Sequence, residues 1–315
     1  MFDVGLPQGL VAADAKARTA ASVCFLEGPA WHPSGDLYFS DIAGSRILKL
    51  SSAGDVSVFR ADSGRTNGNT FDREGRLISC EGAEFGPGGR RRVVRTNVAS
   101  GQVEVITERF EGKRYNAPND VVVDHQGRIW FTDPYYWTEL DSLEMGCEAV
   151  YCIAGSTVRR VISQPHIGRP NGLAITPDDK TLYVIDSHNV AGGNRKIWAF
   201  NVEQDGSLTG QRLVFDFGRG RGGDGMRLDR QGNLWVAAGV LKPRNPHETD
   251  EVRTGVHVIS PRGELLGRIP IPEDVITNLT FGDANFKTLF VTAGKTVFKI
   301  AVEVSGYSLY PPLGT

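Results

Sequence analysis

Pro118-Asn-Asp-Val-Val-Val-Asp-His-Gln-Gly-Arg-Ile-Trp-Phe-Thr-Asp133 is the clearest copy of a phrase that recurs along the chain. A polar residue opens an apolar strand, an Asp-x-x-Gly turn follows, and a second apolar strand returns, which is a β-hairpin by period and punctuation. Further copies begin at Glu27-Gly-Pro-Ala-Trp31, Asn67-Gly-Asn69, Asn171-Gly-Leu173, Asp224-Gly-Met226 and Asn278-Leu-Thr280. Their returning strands are Leu37-Tyr-Phe-Ser40, Leu77-Ile-Ser-Cys80, Leu182-Tyr-Val-Ile-Asp186, Leu234-Trp-Val236 and Leu289-Phe-Val-Thr292. Six hairpins about 40 to 55 residues apart, with no convincing helix between them, predict an all-β fold. The expected architecture is a six-bladed β-propeller with four-stranded antiparallel blades, one domain over residues 1–315.

The register of the copies carries more than the fold. Ten positions before the first apolar residue of the returning strand stand Glu27, Asn67, Asn119 and Asp224; in the two copies with a longer turn, Asn171 and Asn278 stand eleven before it. The innermost strand of a propeller blade lines the central channel, so equivalent positions at its start form a ring on the axis. One Asn or Asp opening a strand is ordinarily turn chemistry. Six carboxylates and carboxamides in register point instead to a shared ligand.

Oxygen donors without His or Cys suit a hard divalent cation, Ca²⁺ first and Mg²⁺ or Mn²⁺ next. Glu27 and Asp224 supply two negative charges and Asn119 and Asn171 neutral carbonyls, so these four are the predicted metal ligands. An ion held by so few protein ligands keeps positions open for water and substrate, which is equipment for hydrolysis. Asn119, Asn67, Tyr135, Tyr136 and His188 are the predicted substrate contacts. Tyr135, Tyr136 and Trp137 form a candidate aromatic wall, and packing over a blade edge is the competing reading. Arg90 to Arg92 reads as an exposed strand start from which one Arg can face the mouth.

If the ring lies where inner strands begin, the loops after the second strands surround it. These are Glu81 to Arg92, Pro134 to Ala149, Ser187 to Lys196 and Ala238 to Thr254, the longest irregular stretches of the chain and the expected carriers of specificity. The Gly218-Arg-Gly-Arg-Gly-Gly223 run precedes no helix, so a phosphate-loop reading fails on context. No Gly-x-Ser-x-Gly elbow is present for serine catalysis.

Lys and Arg (35) nearly balance Asp and Glu (37), and no basic stripe interleaves with aromatics, which argues against nucleic acid or an anionic membrane as partner and for a small molecule. Residues 1–22 lack a secretory pattern and no run approaches a membrane span, so a cytoplasmic location is the default expectation. The same N-terminal segment is expected to add a strand to the last blade and close the ring, with Thr296 to Val304 supplying that blade's outer strands. Four cysteines show no Cys-x-x-Cys spacing, and Cys147 with Cys152 is the one candidate disulfide.

The motifs Glu27-Gly-Pro, Asn67-Gly-Asn-Thr, Pro118-Asn-Asp with Ile129-Trp-Phe-Thr-Asp-Pro, Arg169-Pro-Asn-Gly-Leu-Ala, Gly223-Asp-Gly-Met and Asn278-Leu-Thr-Phe-Gly resemble the gluconolactonase, senescence-marker-protein and luciferin-regenerating-enzyme family. The resemblance runs from about Ser22 to Val302 and is closest to the bacterial gluconolactonases. It implies an axial divalent metal, usually calcium (Zn²⁺ is a further candidate), held by the residues matching Glu27, Asn171 and Asp224. Asn119 would bind metal or substrate, and Asp224 would activate water as general base against a sugar lactone whose carbonyl the metal polarises, so the resemblance makes Asp224 and Asn119 the predicted catalytic residues. Two departures bear on substrate choice. Ala117 stands where animal members carry a substrate-binding Arg, and Gly82 to Gly88 intervenes where bacterial relatives run directly into an Arg pair. A phosphotriesterase resembling diisopropylfluorophosphatase and a non-catalytic calcium-binding interaction propeller are the competing readings.

Overall fold

The Asp-x-x-Gly turns fold as their spacing requires. Asp72, Asp124 and Asp229 each accept two backbone N–H groups of their own turn through Oδ1, from Glu74 and Arg76, from Gln126 and Arg128, and from Gln231 and Asn233, at 2.8–3.1 Å. The second oxygen of Asp124 and of Asp229 then takes the indole N–H of Trp130 (3.0 Å) and of Trp235 (2.9 Å) on the returning strand. One carboxylate thus closes the turn and fixes the large side chain behind it.

The computed structural model describes residues 24–83, 89–136 and 143–312. In chain order, blade one comprises β1 (Leu26–Trp31), β2 (Leu37–Asp41), β3 (Arg46–Leu50) and β4 (Val56–Arg60), and blade two β5 (Thr66–Phe71), β6 (Leu77–Glu81), β7 (Arg92–Thr96) and β8 (Val103–Thr107). After a short hairpin of β9 (Arg109–Phe110) and β10 (Lys113–Arg114), blade three has β11 (Val121–Val123), β12 (Ile129–Asp133), β13 (Ala149–Ala154) and β14 (Thr157–Ser163). Blade four has β15 (Pro170–Ile175), β16 (Thr181–Ser187), β17 (Arg195–Val202) and β18 (Leu208–Asp216). Blade five has β19 (Gly223–Leu228), β20 (Leu234–Ala238), β21 (Gly255–Ile259) and β22 (Leu265–Pro270), and blade six β23 (Ile276–Gly282), β24 (Thr288–Ala293) and β25 (Val297–Ala301). Every sheet is an antiparallel meander in sequence order, and successive inner strands touch around a closed circle in which β23 meets β1. The chain is a six-bladed β-propeller with no helix among the described residues.

Two expectations about closure need restating. Thr296 to Val304 supplies one strand of blade six, β25, rather than two; the chain then turns beneath the ring, with Gly306 N–H on Phe286 O and Tyr307 N–H on Leu228 O (both 2.9 Å). The fourth strand expected from residues 1–22 lies outside the described residues. What closes the ring within them is Leu26 N–H on Gly294 O (3.1 Å) and Thr277 Oγ1 on Leu26 O (2.7 Å). The cysteines are free thiols, so the Cys147–Cys152 bridge does not form; Cys152 is buried in β13 opposite Trp130. No helix among the described residues is long and apolar enough to cross a membrane.

The core is not one mass. It divides into clusters pressed between adjacent blades, such as Leu77, Phe71, Ile47 and Tyr38 between blades one and two, and Leu173, Leu182, Trp130 and Val150 between blades three and four. Each blade therefore depends on both neighbours for its burial.

On the axis the blades touch through glycines that leave no room for a side chain of their own. A Cβ on Gly28 would lie 2.2 Å from Asn67 O, on Gly68 2.5 Å from Asn119 O, on Gly172 2.3 Å from Asp224 O, and on Gly225 2.1 Å from Asn278 Cγ. Each of these glycines follows a ring residue and packs on the ring residue of the next blade. Gly172→Ala should lower stability by about 1–3 kcal/mol, the usual cost of overpacking, because the obstructing atoms are backbone; an urea melt of the variant with an unchanged midpoint would show that the contact has slack.

Candidate active site

The ring residues open β1, β15 and β19 at β-bulges, where the pairing with the second strand skips: between Glu27 and Ala30, between Pro170 and Leu173, and between Gly223 and Met226. A bulge re-aims a side chain that a regular strand would turn into the sheet face. Buried carboxylates at the ends of the second strands hold the approach to these bulges. Asp41 accepts Phe25 N–H (3.0 Å), Asp133 accepts Asn116 and Ala117 N–H (2.9 and 2.8 Å), and Asp186 accepts Gly168 and Arg169 N–H (both 2.9 Å). The segments leading into Glu27, Asn119 and Asn171 are thereby fixed by their own blades.

Blade three differs, because Asp120 stands where blades one, two, four and five have glycine. Its buried carboxylate takes the N–H of Val121 (2.9 Å) and of Leu173, the side-chain amide of Asn278, and faces Arg227 Nη1 at 3.5 Å. One side chain thus joins blades three, four, five and six across the channel. Asn278, left without a role by the sequence, serves this contact and its own strand, accepting Leu279 N–H at 2.9 Å.

Glu27, Asn119, Asn171 and Asp224, from four different blades, are all buried, at 4–7% exposure, and line one cavity of about 330 Å³ at the start of the inner strands. Asn171 spends its amide nitrogen on Ser187 Oγ (3.3 Å) and on the Asp224 carboxylate, which leaves its carbonyl oxygen as the atom available to a cation. Asp224 Oδ2 accepts Arg221 Nη2 at 2.8 Å. Burial pushes the Asp224 carboxyl above its usual range, and Arg221 opposes that. Two carboxylates and two carboxamides converging in a polar cavity match the donor chemistry of a hard divalent cation. Among the described residues there is no group of three or more His, Cys, Asp or Glu placed to hold a metal, so a site here relies on its carboxamides.

The other predicted contacts divide. Tyr136 lines the cavity, 37% exposed, with Arg169 stacked over its ring at 5.2 Å. Tyr135, Asn67 and His188 do not line it. Tyr135 is buried with its N–H on Glu148 Oε2 (2.9 Å), and Asn67 is buried, its backbone carbonyl accepting Ser40 Oγ at 2.7 Å. His188 packs on Gly168, its imidazole lowered below its ordinary value first by burial and then by Arg169. Trp137 lies outside the described residues. Arg90 and Arg92 are tied to Asp62 and Glu81, and Arg91 Nε donates to Tyr115 O.

Sequence reasoning missed the basic wall. Arg169, Arg195, Arg221 and Arg244 line the cavity together with Asn189 and Glu248, all from blades four and five. Arg169 stands two residues before Asn171, the place in the next blade that corresponds to Ala117. It is held by Glu148 through Nε (2.9 Å) and Nη2 (3.2 Å). Arg221 lies three before Asp224, within the glycine run set aside as a failed phosphate loop.

Comparison with known proteins decides the family. The family model described as SMP-30/gluconolactonase/LRE-like region matches residues 25–295. The chain belongs to that family. A gluconolactonase from Zymomonas mobilis is 28% identical over 330 aligned positions, covering 97% of this chain and 84% of the relative. A solved gluconolactonase structure from Xanthomonas campestris superposes with a TM-score of 0.73 at 33% identity, covering 90% of this chain and 86% of that one. The pentonolactonase XacC of Haloferax volcanii is 24% identical, over 87% of this chain and 84% of the relative. The chain is a lactonase, and hydrolysis of sugar lactones is the reaction these relatives support.

In this lactonase the clip at Asp133 has a titration signature. Burial, opposed by the N–H groups of Asn116 and Ala117, pushes its carboxyl up to about 7. Between the unfolded value of about 4 and that point the folded state keeps a proton that the unfolded chain releases, so this stability is present below the window and lost as pH rises through it. Urea unfolding between pH 4 and 7 should show that decline, and Asp133→Asn should flatten it; an unchanged slope in the variant would assign the proton to another group.

Proposed function

We propose that the chain opens a gluconolactone-like sugar lactone to its aldonic acid at a divalent-cation site formed by Glu27, Asn119, Asn171 and Asp224. The observation that supports this reading is the convergence of those four buried oxygen-bearing side chains, each from a different blade, on one polar cavity. Ca²⁺ is the favoured ion because every donor is a hard oxygen and the two carboxylates balance its charge.

When bound, such an ion supplies Lewis-acid polarisation of the lactone carbonyl. The remaining work falls to the chain. Asp224 accepts the proton of the attacking water, which requires its carboxylate form; Arg221 at 2.8 Å favours that form against burial. Asn119 orients the sugar hydroxyls beside the scissile ester. Asn171 binds both Ser187 and Asp224, which holds the base in place. Tyr136, under the Arg169 guanidinium, offers an apolar face for the sugar ring. The ring oxygen leaves the acyl carbon as a tethered alkoxide and takes the proton that Asp224 accepted from water, so a positioned water and one acid–base group suffice.

The test is a pH-indicator assay on metal-stripped protein with a panel of aldonolactones, after separate addition of Ca²⁺, Mg²⁺, Mn²⁺ and Zn²⁺. Turnover should be lost on stripping and restored by at least one ion, with Ca²⁺ expected. Asp224→Asn should lower kcat by about 10²–10⁴-fold, the usual range for a general base, with the thermal midpoint little changed. Full activity in stripped protein, or in Asp224→Asn, would remove the ion or the base from the reaction. Hydrolysis of phosphotriesters and of no lactone would replace the substrate class.

A further inference from the structure

The arginines of the cavity lie on one side. Glu27 enters from blade one, while all four arginines enter from blades four and five, the side that also carries Asp224 and Glu248. Arg169 is neutralised by Glu148 behind it. The other three are not balanced in the same way. Arg195 is buried, 6% exposed, and its three hydrogen bonds go to neutral oxygens: Gly193 O (3.0 Å), His247 O (2.8 Å) and Asn189 Oδ1 (3.2 Å). Arg221 spends Nη2 on Asp224, but its Nη1 is buried with no acceptor among the described residues. Arg244 stands exposed at the rim; its backbone N–H is used by Glu248 Oε2 (2.9 Å), and its guanidinium is in no ion pair among the described residues.

Glu248 adds a buried negative charge to this wall but forms no ion pair with any of them among the described residues. Its Oε1 accepts Asn189 Nδ2 (3.1 Å) and its Oε2 the Arg244 backbone, so both oxygens are taken by neutral donors. A buried donor without an acceptor is costly unless a ligand completes it. A buried guanidinium without a carboxylate is costly for the same reason. Both costs fall on the same wall of the same cavity, and a guanidinium is suited to grip an oxyanion with paired N–H groups.

We propose that this cavity selects a lactone carrying a second, anionic group, a carboxylate or a phosphate monoester, which Arg221 and Arg244 bind while Arg195 supplies the positive field behind them. The lactone end then faces the ring oxygens and the anionic end faces blade five. This inference rests on the lactonase reading of the same cavity and adds the class of substrate.

The experiment compares glucono-1,5-lactone, its 6-phosphate and glucaro-1,4-lactone as substrates of the metal-loaded protein and of Arg244→Ala. In parallel, calorimetry measures the binding of gluconate and of 6-phosphogluconate to the metal-free protein. The wild type should favour at least one anionic lactone in kcat/KM by about tenfold or more, and that preference should shrink as salt is raised. In Arg244→Ala the ratio of anionic to neutral kcat/KM should fall several-fold. Calorimetry should show 6-phosphogluconate binding more tightly than gluconate without metal. A preference for the phosphate alone or the carboxylate alone identifies the source of the anion. Equal or better turnover of the neutral lactone, with a ratio unmoved by Arg244→Ala, overturns the proposal and leaves the lactonase reading standing. Selective 6-phosphogluconate binding without turnover of any lactone supports the anion site and sinks the reaction assigned to the ring.

Discussion

The backbone contact between neighbouring inner strands is what the rest of this propeller depends on. Gly28, Gly68, Gly172 and Gly225 each press bare Cα atoms against the ring residue of the following blade, at separations no Cβ could share. That approach draws the starts of the inner strands close to the axis and brings buried polar side chains from four blades around one cavity. Glycine here is a packing requirement, separate from its use in turns. Where the pattern breaks in blade three, at Asp120, the structure substitutes a different link, a carboxylate reaching three other blades.

A site built this way inherits its rigidity from the fold. Bulges aim the ring side chains, and the carboxylates of Asp41, Asp133 and Asp186 clamp the backbone just ahead of three of them. The wall of the cavity comes from other parts. The basic wall is made by residues on the approaches to β15, β17 and β19 and by the loop between β20 and β21, all on the side of blades four and five.

Much of this was legible in the chain because a propeller repeats. The ring residues sit ten or eleven positions before a recognisable strand, so Glu27, Asn119, Asn171 and Asp224 could be selected before any coordinates, and the returning strands fell where the phrase placed them. Arg169, Arg195, Arg221 and Arg244 obey no common register; they meet only because the ring brings two blades together. Asn67 shows the limit of register itself. It shares the spacing of the ring, yet its carbonyl is drawn to Ser40 of blade one and its side chain stands outside the cavity. Tyr135 and Tyr136 are adjacent beyond the end of β12, where Tyr135, with its N–H on Glu148, is buried and Tyr136 is exposed. The single-strand contribution of residues 297–301 was missed because an edge strand carries no partner pattern to count.

The central claim is that the ring binds one hard cation. Isothermal titration of Ca²⁺ into metal-stripped protein tests it without reference to any substrate, with Glu27→Gln and Asn171→Ala alongside. The account predicts one ion per chain, with affinity reduced at least about tenfold in each variant and folding retained. Absence of binding, or binding of the same strength in both variants, would contradict it.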